Sequence, residues 1–500
     1  MEEKSKIRHL WIPVAVLTAA VPGLVALNLL AVSFSPWIMV LTVSLLIAAC
    51  VLYVLRSGAG RWAKTLLSAV SAVMIVLGLF AAYCVPYWSS MALRDDRDHS
   101  RGYDAVLTLE EAQEDMAQMR SIVSRCHPAF IDEVPAPFDG AYDAALERLA
   151  QDGMITVNDL RREIQRTLSV LGDGHTSAYP HYDGQRYLKT IAGHKAEGRS
   201  LHAINGMTAK ELFEERRELF CYEADSWGVL GLRDNLSTIS GLDFLGIDPE
   251  GVEYTWVGAD GEYVTDTHTA ADFLPLDEYT AYNAQYSTGN GQTDSFVRYE
   301  IDAENDLAVL TLTACQYDDE YIACLRDMFT EVKALGIGNV AVDLRGNGGG
   351  NSLVANEFIR YLPVDTYCVD GYIHRLGCFM LDFTGDKYTV IENRRYTDLA
   401  FDGNLYLLTD SGSFSSAMLF AAYIKDNGLG TLIGEPPGND PNGFGDIAEF
   451  RLSNSRLYMS VSTKQFFRPD RECTDRLVMP DVECGGTEAM ERLPELLAAE

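Results

Sequence analysis

Basic side chains are scarce in this sequence of 500 residues, in which 40 Lys and Arg stand against 72 Asp and Glu for a net charge of −32. The imbalance is uneven. Residues 1–94 hold seven basic and two acidic side chains, so residues 95–500 carry a net charge of −37. A domain this acidic repels the phosphate backbone of DNA and RNA. The composition therefore argues against a nucleic-acid partner.

The sequence also lacks the short motifs that mark metal and cofactor sites. It contains no Cys-x-x-Cys pair and no His-Glu-x-x-His, so neither a zinc knuckle nor a metalloprotease site is indicated. The glycine-rich run Arg345–Asn351 is not followed by Gly-Lys-Ser/Thr, and Asn351 stands where a dinucleotide fingerprint needs its third glycine. We expect no cofactor and no metal.

Disulfides remain open from the sequence. Eight of the ten cysteines lie outside the apolar stretches described below, and an even number permits disulfides in an oxidising compartment. Two candidate pairs are Cys368/Cys378 and Cys473/Cys484. The alternative is that these thiols are small buried apolar groups.

Two stretches carry no formal charge at all: the 46 residues Leu10–Leu55 and the 29 residues Thr65–Leu93. A helix crosses the hydrocarbon of a bilayer in about 20 residues, so the first stretch has room for two spans and the second for one. Pro36 breaks the first stretch, because proline cannot continue a helix. The pattern predicts a membrane anchor over residues 1–90, with three transmembrane helices at roughly 10–32, 37–55 and 65–88.

Basic residues set the predicted orientation of this anchor. Three precede the first span and three separate the second from the third: Lys4, Lys6, Arg8, Arg56, Arg61 and Lys64. Positively charged loops stay on the cytoplasmic side of a membrane. We therefore expect a multi-pass protein of the cell membrane, with a cytoplasmic N-terminus and with everything after residue 90 outside the cytoplasm.

Hydrophobic periodicity divides the remainder of the chain. Residues 91–196 predict helices, residues 197–300 predict a mixed, β-rich segment, and residues 486–500 predict a tail helix. Between the last two, residues 301–485 alternate apolar strands with helices, which is typical of an α/β layer with largely parallel strands. The predicted strands are Asp306–Thr313, Asn339–Leu344 and Leu405–Thr409, each followed by a helix: Asp319–Leu335, Ser352–Leu362 and Ser415–Asp426.

Sites in such sheets form beyond the carboxyl ends of the strands, which places the turns Gly346–Gly350 and Ser411–Ser416 side by side. The glycine turn is either an oxyanion pocket of backbone N–H groups or merely a tight turn that needs positive φ. The serine turn is either a helix cap or the seat of a nucleophile, whose developing charge the helix N-terminus would stabilise. A serine needs a base. His175 is the best-placed histidine, because it lies in a glycine-flanked turn after a helix.

Together these segments resemble the tail-specific (C-terminal-processing) serine peptidase family, in the branch of the tricorn core and the interphotoreceptor retinoid-binding protein repeats. The resemblance covers roughly residues 105–485. It is carried by Leu109–Pro128, LGDGHT at 171–176, Ala203–Gly206, VDLRGNGGG at 342–350, LLTDSGSFSSAMLFA at 407–421, Leu432–Glu435 and Met479–Val482. The resemblance implies a ClpP/crotonase-like α/β core with a β-rich insertion, holding at most a degenerate PDZ-like remnant.

The resemblance also implies roles for individual residues. Ser415 matches the nucleophile, His175 the general base, and Glu472 the acid that orients the imidazole. The N–H groups of Gly349 or Gly350 and of Ser416 match the oxyanion hole. Two departures stand out. The lysine that the Ser–Lys branch carries about 25 residues after its serine is missing, which leaves His175 as the base, and Met418 replaces the usual glutamate.

The sequence thus predicts a membrane-anchored serine endopeptidase, acting on protein or peptide substrates outside the cytoplasm by a Ser–His–Glu acyl-enzyme mechanism. Met418 and the incomplete PDZ-like segment support an alternative. In it, the outer domain is catalytically inactive and binds a peptide or an apolar ligand. Hydrolysis of esters rather than peptides is a third possibility.

Overall fold

The computed structural model describes residues 9–29, 36–88, 100–151, 153–179, 182–258, 260–286, 295–376, 379–382 and 389–497. Three helices open the chain: α1 (Trp11–Leu29), α2 (Pro36–Arg56) and α3 (Arg61–Trp88). They pack on one another through a small apolar cluster that includes Val14, Val43 and Leu46.

Two of these helices are long and apolar enough to cross a membrane, over Ile38–Arg56 and Arg61–Leu79. Among the described residues, α1 contributes only the shorter apolar stretch Trp11–Val25. The prediction of three spans is therefore corrected to two candidate spans.

Helices dominate the next part of the chain, as the periodicity predicts. Its elements are β1 (Val106–Leu107), α4 (Leu109–Cys126), α5 (Ala136–Gln151), β2 (Ile155–Thr156), α6 (Val157–Ser169), β3 (Ser177–Tyr179), β4 (Arg186–Leu188) and α7 (Ile191–Ala196). Thr108 and Thr156 start α4 and α6 with capping boxes, each hydroxyl accepting from the backbone three residues on. The buried faces of these helices meet apolar residues of a distant hairpin, among them Phe450 and Met459.

The middle segment has its own apolar core, around Trp256 and Phe213. Its elements are β5 (Ser200–Ile204), β6 (Met207–Thr208), α8 (Ala209–Arg216), α9 (Asp225–Asn235), α10 (Ile239–Phe244), β7 (Val252–Val257), β8 (Tyr263–His268), β9 (Phe273–Pro275) and α11 (Leu276–Asn283). Four of its strands form an antiparallel sheet in the order β6-β5-β7-β8.

The α/β core follows, and its predicted strands and helices are confirmed to within a few residues. Its elements are β10 (Val297–Asp302), β11 (Leu307–Leu312), α12 (Asp319–Leu335), β12 (Asn339–Asp343), α13 (Leu353–Ile359), β13 (Thr366–Val369), β14 (Gly371–Leu376), β15 (Phe379–Asp382), β16 (Thr389–Glu392), β17 (Asn404–Thr409), α14 (Ser416–Asp426), β18 (Thr431–Gly434), β19 (Phe444–Arg451), β20 (Tyr458–Phe467), β21 (Val482–Glu483) and α15 (Ala489–Leu497).

A six-stranded sheet, β10-β11-β12-β17-β18-β21, forms the centre of this core, and all its pairings except β10–β11 are parallel. Helices α12 to α14 cover one face and α15 covers the other. A second, antiparallel sheet contains the long hairpin β19–β20, and β3 from the helical part pairs with β20. That pairing brings the segment just after His175 onto the core.

Candidate active site

Ser415 lies in a turn of unusual backbone geometry between β17 and α14, here named the nucleophile turn (residues 410–416). Its φ is +55° and its ψ is −119°, a backbone conformation that residues other than glycine rarely adopt. The Ser413 hydroxyl braces the turn by donating to the carbonyl of Leu344 at 2.8 Å. A serine on a strained strand-to-helix turn is the arrangement that exposes a nucleophile above a sheet.

Helix α14 fixes this turn from behind. Residues 416–424 are all buried, so the helix is locked against the sheet. Met418 is 3% exposed and belongs to the same apolar core. An apolar side chain is therefore compatible with this position, where the family carries a glutamate.

The glycine loop (residues 345–351) presses directly on the nucleophile turn. Gly349 has φ +98°, and a Cβ there would lie 2.7 Å from the Phe414 carbonyl oxygen and 2.7 Å from Ser415 Cβ. The Gly349 N–H is already engaged, because it donates to Asn347 Oδ1 at 2.9 Å. Gly349 thus permits the close approach, but its amide is occupied.

Two other amides are free to bind an anion. Among the described residues, the N–H groups of Gly350 and Ser416 have no hydrogen-bond acceptor. The hydroxyl of Ser416 donates to the carbonyl of Gly350 at 2.8 Å, which ties the two residues together. The Ser415 N–H instead donates to Asn439 Oδ1 at 2.7 Å. Of the two predicted glycines, the geometry favours Gly350 as the oxyanion donor.

His175 lies in the base loop (residues 171–176), which Asp173 organises. Asp173 Oδ1 accepts from the His175 N–H at 2.8 Å and lies 3.7 Å from His175 Nδ1. Asp173 Oδ2 accepts from Thr176 Oγ1 at 2.5 Å and from His127 Nε2 at 2.9 Å. Because the N–H of Ala129 donates to His127 Nδ1, the proton of the His127 ring is on Nε2 and points at Asp173.

Aromatic packing sets the base loop against the nucleophile turn. The rings of His175 and Phe414 are 4.4 Å apart, and Phe414, the neighbour of Ser415, stacks on Trp227 at 3.8 Å. The Phe414 ring packs closely on Gly174, where a Cβ would lie 3.1 Å from it. On the other side of the loop, the Ser460 hydroxyl of β20 donates to the carbonyl of His175.

Burial shapes the charges around the base. It lowers the pKa of His175 below 6.5, against the opposing effect of Asp173, so the ring is neutral and able to accept a proton at neutral pH. Burial, the largest single effect, would raise the pKa of Asp173, but the hydrogen bonds from His127 and Thr176 and the charge interactions with His127 and His175 together hold that pKa well below 3.8. Burial, and then the charge of Asp173, raise the pKa of Glu223 well above 4.5.

A cavity of about 1150 Å³ joins these parts. Five of the six predicted site residues line it: His175, Gly349, Gly350, Ser415 and Ser416. Among the described residues, no hydrogen-bond partner reaches either ring nitrogen of His175. Apo sites are often this loose, and their catalytic hydrogen bonds tighten when substrate binds.

The structure does not bring Glu472, the sixth predicted residue, to this group. It is exposed, its N–H donates to Asp470, and it does not line the cavity. The loop that carries it begins at Arg468, whose guanidinium is buried against Asp426. That ion pair anchors the loop and leaves Glu472 in solvent.

Four residues near the site have roles that the sequence did not indicate: His127, Asp173, Glu223 and Asn439. A signal existed for three of them. His127 and Asp173 lie inside the segments that carry the resemblance, and Asn439 lies 24 residues after Ser415, near the position of the missing lysine. Glu223 lies in no sequence motif, and its position beside the base loop follows only from the fold.

Comparison with known proteins gives a family match over part of the chain. Residues 306–484 match the model of a family described as Peptidase family S41. The enzyme class is therefore serine-type peptidase. The match contains both turns but begins after His175, which lies outside it. No curated protein matches the sequence.

Solved structures share the fold at low identity. The chain is similar to mature CPAF complexed with lactacystin, at 10% identity and a TM-score of 0.54, over 78% of this chain and 97% of that one. Mature CPAF alone gives 11% identity and a TM-score of 0.53, over 78% and 96%. The photosystem II D1 C-terminal processing protease is 16% identical over 78% and 98%, with a TM-score of 0.43.

Cys473 and Cys484 are both free thiols, so the candidate disulfide between them is absent. Cys378 lies outside the described residues. Cys126, Cys221 and Cys315 are buried, which fits the alternative of small apolar side chains.

Proposed function

We propose that the chain is a membrane-anchored serine endopeptidase that cleaves peptide bonds outside the cytoplasm. Ser415 attacks the carbonyl carbon, and His175 accepts the hydroxyl proton and passes it to the leaving amine. The amides of Gly350 and Ser416 stabilise the anion of the tetrahedral intermediate. Water, activated by the same ring, then releases the acyl group from Ser415.

The observation that carries the proposal is the shared cavity, where a serine on a strained turn, two free amides and a neutral buried histidine meet. Asp173 replaces Glu472 as the carboxylate that orients the base, because its Oδ1 lies 3.7 Å from His175 Nδ1. A carboxylate on that side stabilises the imidazolium that forms during proton transfer.

Anchoring is supported by the two candidate spans, Ile38–Arg56 and Arg61–Leu79. The short connection between them carries Arg56 and Arg61, and the positive-inside tendency assigns such a connection to the cytoplasm. The peptidase domain then follows on the outer side.

The test is hydrolysis of an unfolded protein substrate by the full chain in detergent, comparing wild type with two serine variants. Ser415→Ala should lower kcat by at least about 10³-fold without changing the melting temperature. Ser411→Ala, in the same turn, should keep the wild-type rate. Equal rates for wild type and Ser415→Ala would contradict the proposal. A folded wild-type chain without hydrolysis would favour the ligand-binding alternative.

A further inference from the structure

Three buried side chains near the catalytic base, here named the buried trio, form a cluster that the proposed mechanism does not fully use. They are Asp173, His175 and Glu223, and each offers one atom that lies within 4.8 Å of the other two. Asp173 is 0% exposed and Glu223 is 4% exposed. Glu223 comes from the middle segment, so two parts of the fold assemble the trio.

Unsatisfied polar atoms point into this cluster. His175 Nδ1, which lies 3.7 Å from Asp173 Oδ1, and Glu223 Oε1 are buried and have no hydrogen-bond partner among the described residues. Buried polar atoms nearly always have a partner, so two unpaired ones beside the same carboxylate call for a bound species. Carboxylate oxygens and a neutral imidazole all present lone pairs, which is the donor set of a divalent cation.

Hydrogen bonds from neighbouring residues hold the two carboxylates of the trio in place, as they do for the ligands of known metal sites. Asp173 is oriented by His127 and Thr176, and Oε2 of Glu223 accepts from the N–H of Asp440 at 2.5 Å. These contacts leave Glu223 Oε1 free for an ion. Hydrogen bonds of this kind hold metal ligands in place in known sites.

The spacing suits zinc in particular. With Zn–N and Zn–O bonds of about 2.1 Å, two ligands of a tetrahedral zinc ion are about 3.4 Å apart. Asp173 Oδ1 and His175 Nδ1 are 3.7 Å apart, and no two ligand atoms of the trio are more than 4.8 Å apart, so side-chain rotation has to close the remaining distance. His175 also lines the large cavity, which gives an ion a route in and leaves a fourth position for water.

We propose that Asp173, His175 and Glu223 form a zinc site, and that an ion bound at His175 Nδ1 inhibits the peptidase because it leaves the ring proton on Nε2, the nitrogen that must accept the Ser415 proton. Binding of the ion stands on the geometry of the trio alone. The inhibitory effect rests on the proposed function, so the two are measured separately.

Another histidine cluster could hold zinc and must be distinguished. His194 Nε2 and His268 Nε2 lie 3.1 and 2.8 Å from the same oxygen of Asp266. Those atoms already satisfy one another, whereas His175 Nδ1 and Glu223 Oε1 of the buried trio have no partner among the described residues. The trio is therefore the stronger site.

The binding test uses the full-length Ser415→Ala chain in detergent and zinc ion alone, titrated against a chromophoric chelator. We expect one equivalent to bind. Adding Glu223→Gln, or separately His175→Ala, should weaken binding at least tenfold, and the exposed-strand control Glu253→Gln should not change it. Two independent variants keep the test decisive if one fails to fold, which melting curves would reveal.

Absence of a bound equivalent, or affinity unchanged by both Glu223→Gln and His175→Ala, would overturn the site. Loss of the ion on His268→Ala alone would place it at the other cluster and would also overturn the proposal. In the wild-type chain, zinc should slow peptide hydrolysis and a chelator should restore it. Zinc bound at the trio with full hydrolysis would overturn the inhibitory role, and no hydrolysis even with chelator would instead count against the peptidase function.

Discussion

The nucleophile turn and the base loop are held in place by different kinds of contact. Ser415 is positioned by elements of one sheet: the end of β17, the start of α14 and the adjoining glycine loop. His175 is positioned by contacts from far along the chain, among them His127, Ser460 and Phe414. The nucleophile half is built within one α/β sheet, whereas the base half depends on contacts with the first helix of the outer part, the β19–β20 hairpin and the nucleophile turn.

The largest effect should come from breaking the base loop at Asp173. Asp173→Asn removes the negative charge beside His175 Nδ1 and should lower kcat by about 10³- to 10⁴-fold. Glu472→Gln, which changes an exposed carboxylate, should stay within about twofold of wild type. The measurement is kcat for both variants. A larger loss for Glu472→Gln than for Asp173→Asn would restore the acid implied by the resemblance.

A single glycine substitution should disrupt the nucleophile turn and lower activity. Gly349→Ala places a Cβ 2.7 Å from Ser415 Cβ, which pushes the turn away from the glycine loop and should cost at least about 10²-fold in kcat/KM. The neighbouring Gly348 is the control, because a Cβ there meets nothing within 4 Å. If Gly348→Ala and Gly349→Ala lose activity equally, close packing of this loop is not what positions Ser415.

A long-range contact of the base half can be removed without touching the cavity. His127→Ala leaves the buried carboxylate of Asp173 without one of its donors and should lower stability by about 3 kcal/mol. We also expect a loss of about tenfold in kcat, because Asp173 no longer holds the base loop rigidly. Urea unfolding and kcat measure the two effects. His202→Ala, a partly exposed histidine on β5, is the control, and equal destabilisation by both would contradict the role of His127.

The smallest effect is a shift along the pH axis. The base must be neutral to accept a proton, and burial lowers the pKa of His175 below 6.5. Activity should therefore hold as pH falls to 6.5 and decline only below that value. The acid limb of kcat/KM, measured with a chelator present, reports this pKa. A midpoint of the acid limb above 6.5 would contradict this prediction. It would mean that the His175 ring is more exposed to solvent, or more strongly paired with a carboxylate, than it is in the structure.

This contrast explains how much the sequence could predict. Strand, turn and helix around Ser415 follow from apolar runs and glycines within about 20 residues, and the predicted helix Ser415–Asp426 is observed as Ser416–Asp426. The helices Ile38–Arg56 and Arg61–Leu79 could also be predicted, because the length of a stretch without charged residues is enough to identify them. For α1 the same rule predicted a third span, which is not one of the two candidates among the described residues.

Contacts between residues far apart in the chain could not be predicted from the sequence. Glu472 was assigned from its place near a motif, but whether a loop carboxylate reaches a histidine depends on how the loop packs, and the Arg468–Asp426 pair decides that. The position of Glu223 beside the site could not be predicted for the same reason. Its Oε2 meets the N–H of Asp440, 217 residues away, and periodicity carries no information on such a pairing.

The central claim, that His175 activates Ser415, is tested most directly by labelling the folded chain with a fluorophosphonate and locating the adduct by mass spectrometry. The account predicts one adduct, on Ser415, formed at least 100-fold more slowly in His175→Ala, since a serine without a base is a weak nucleophile. An adduct on another serine, or a labelling rate that His175→Ala leaves unchanged, would contradict it.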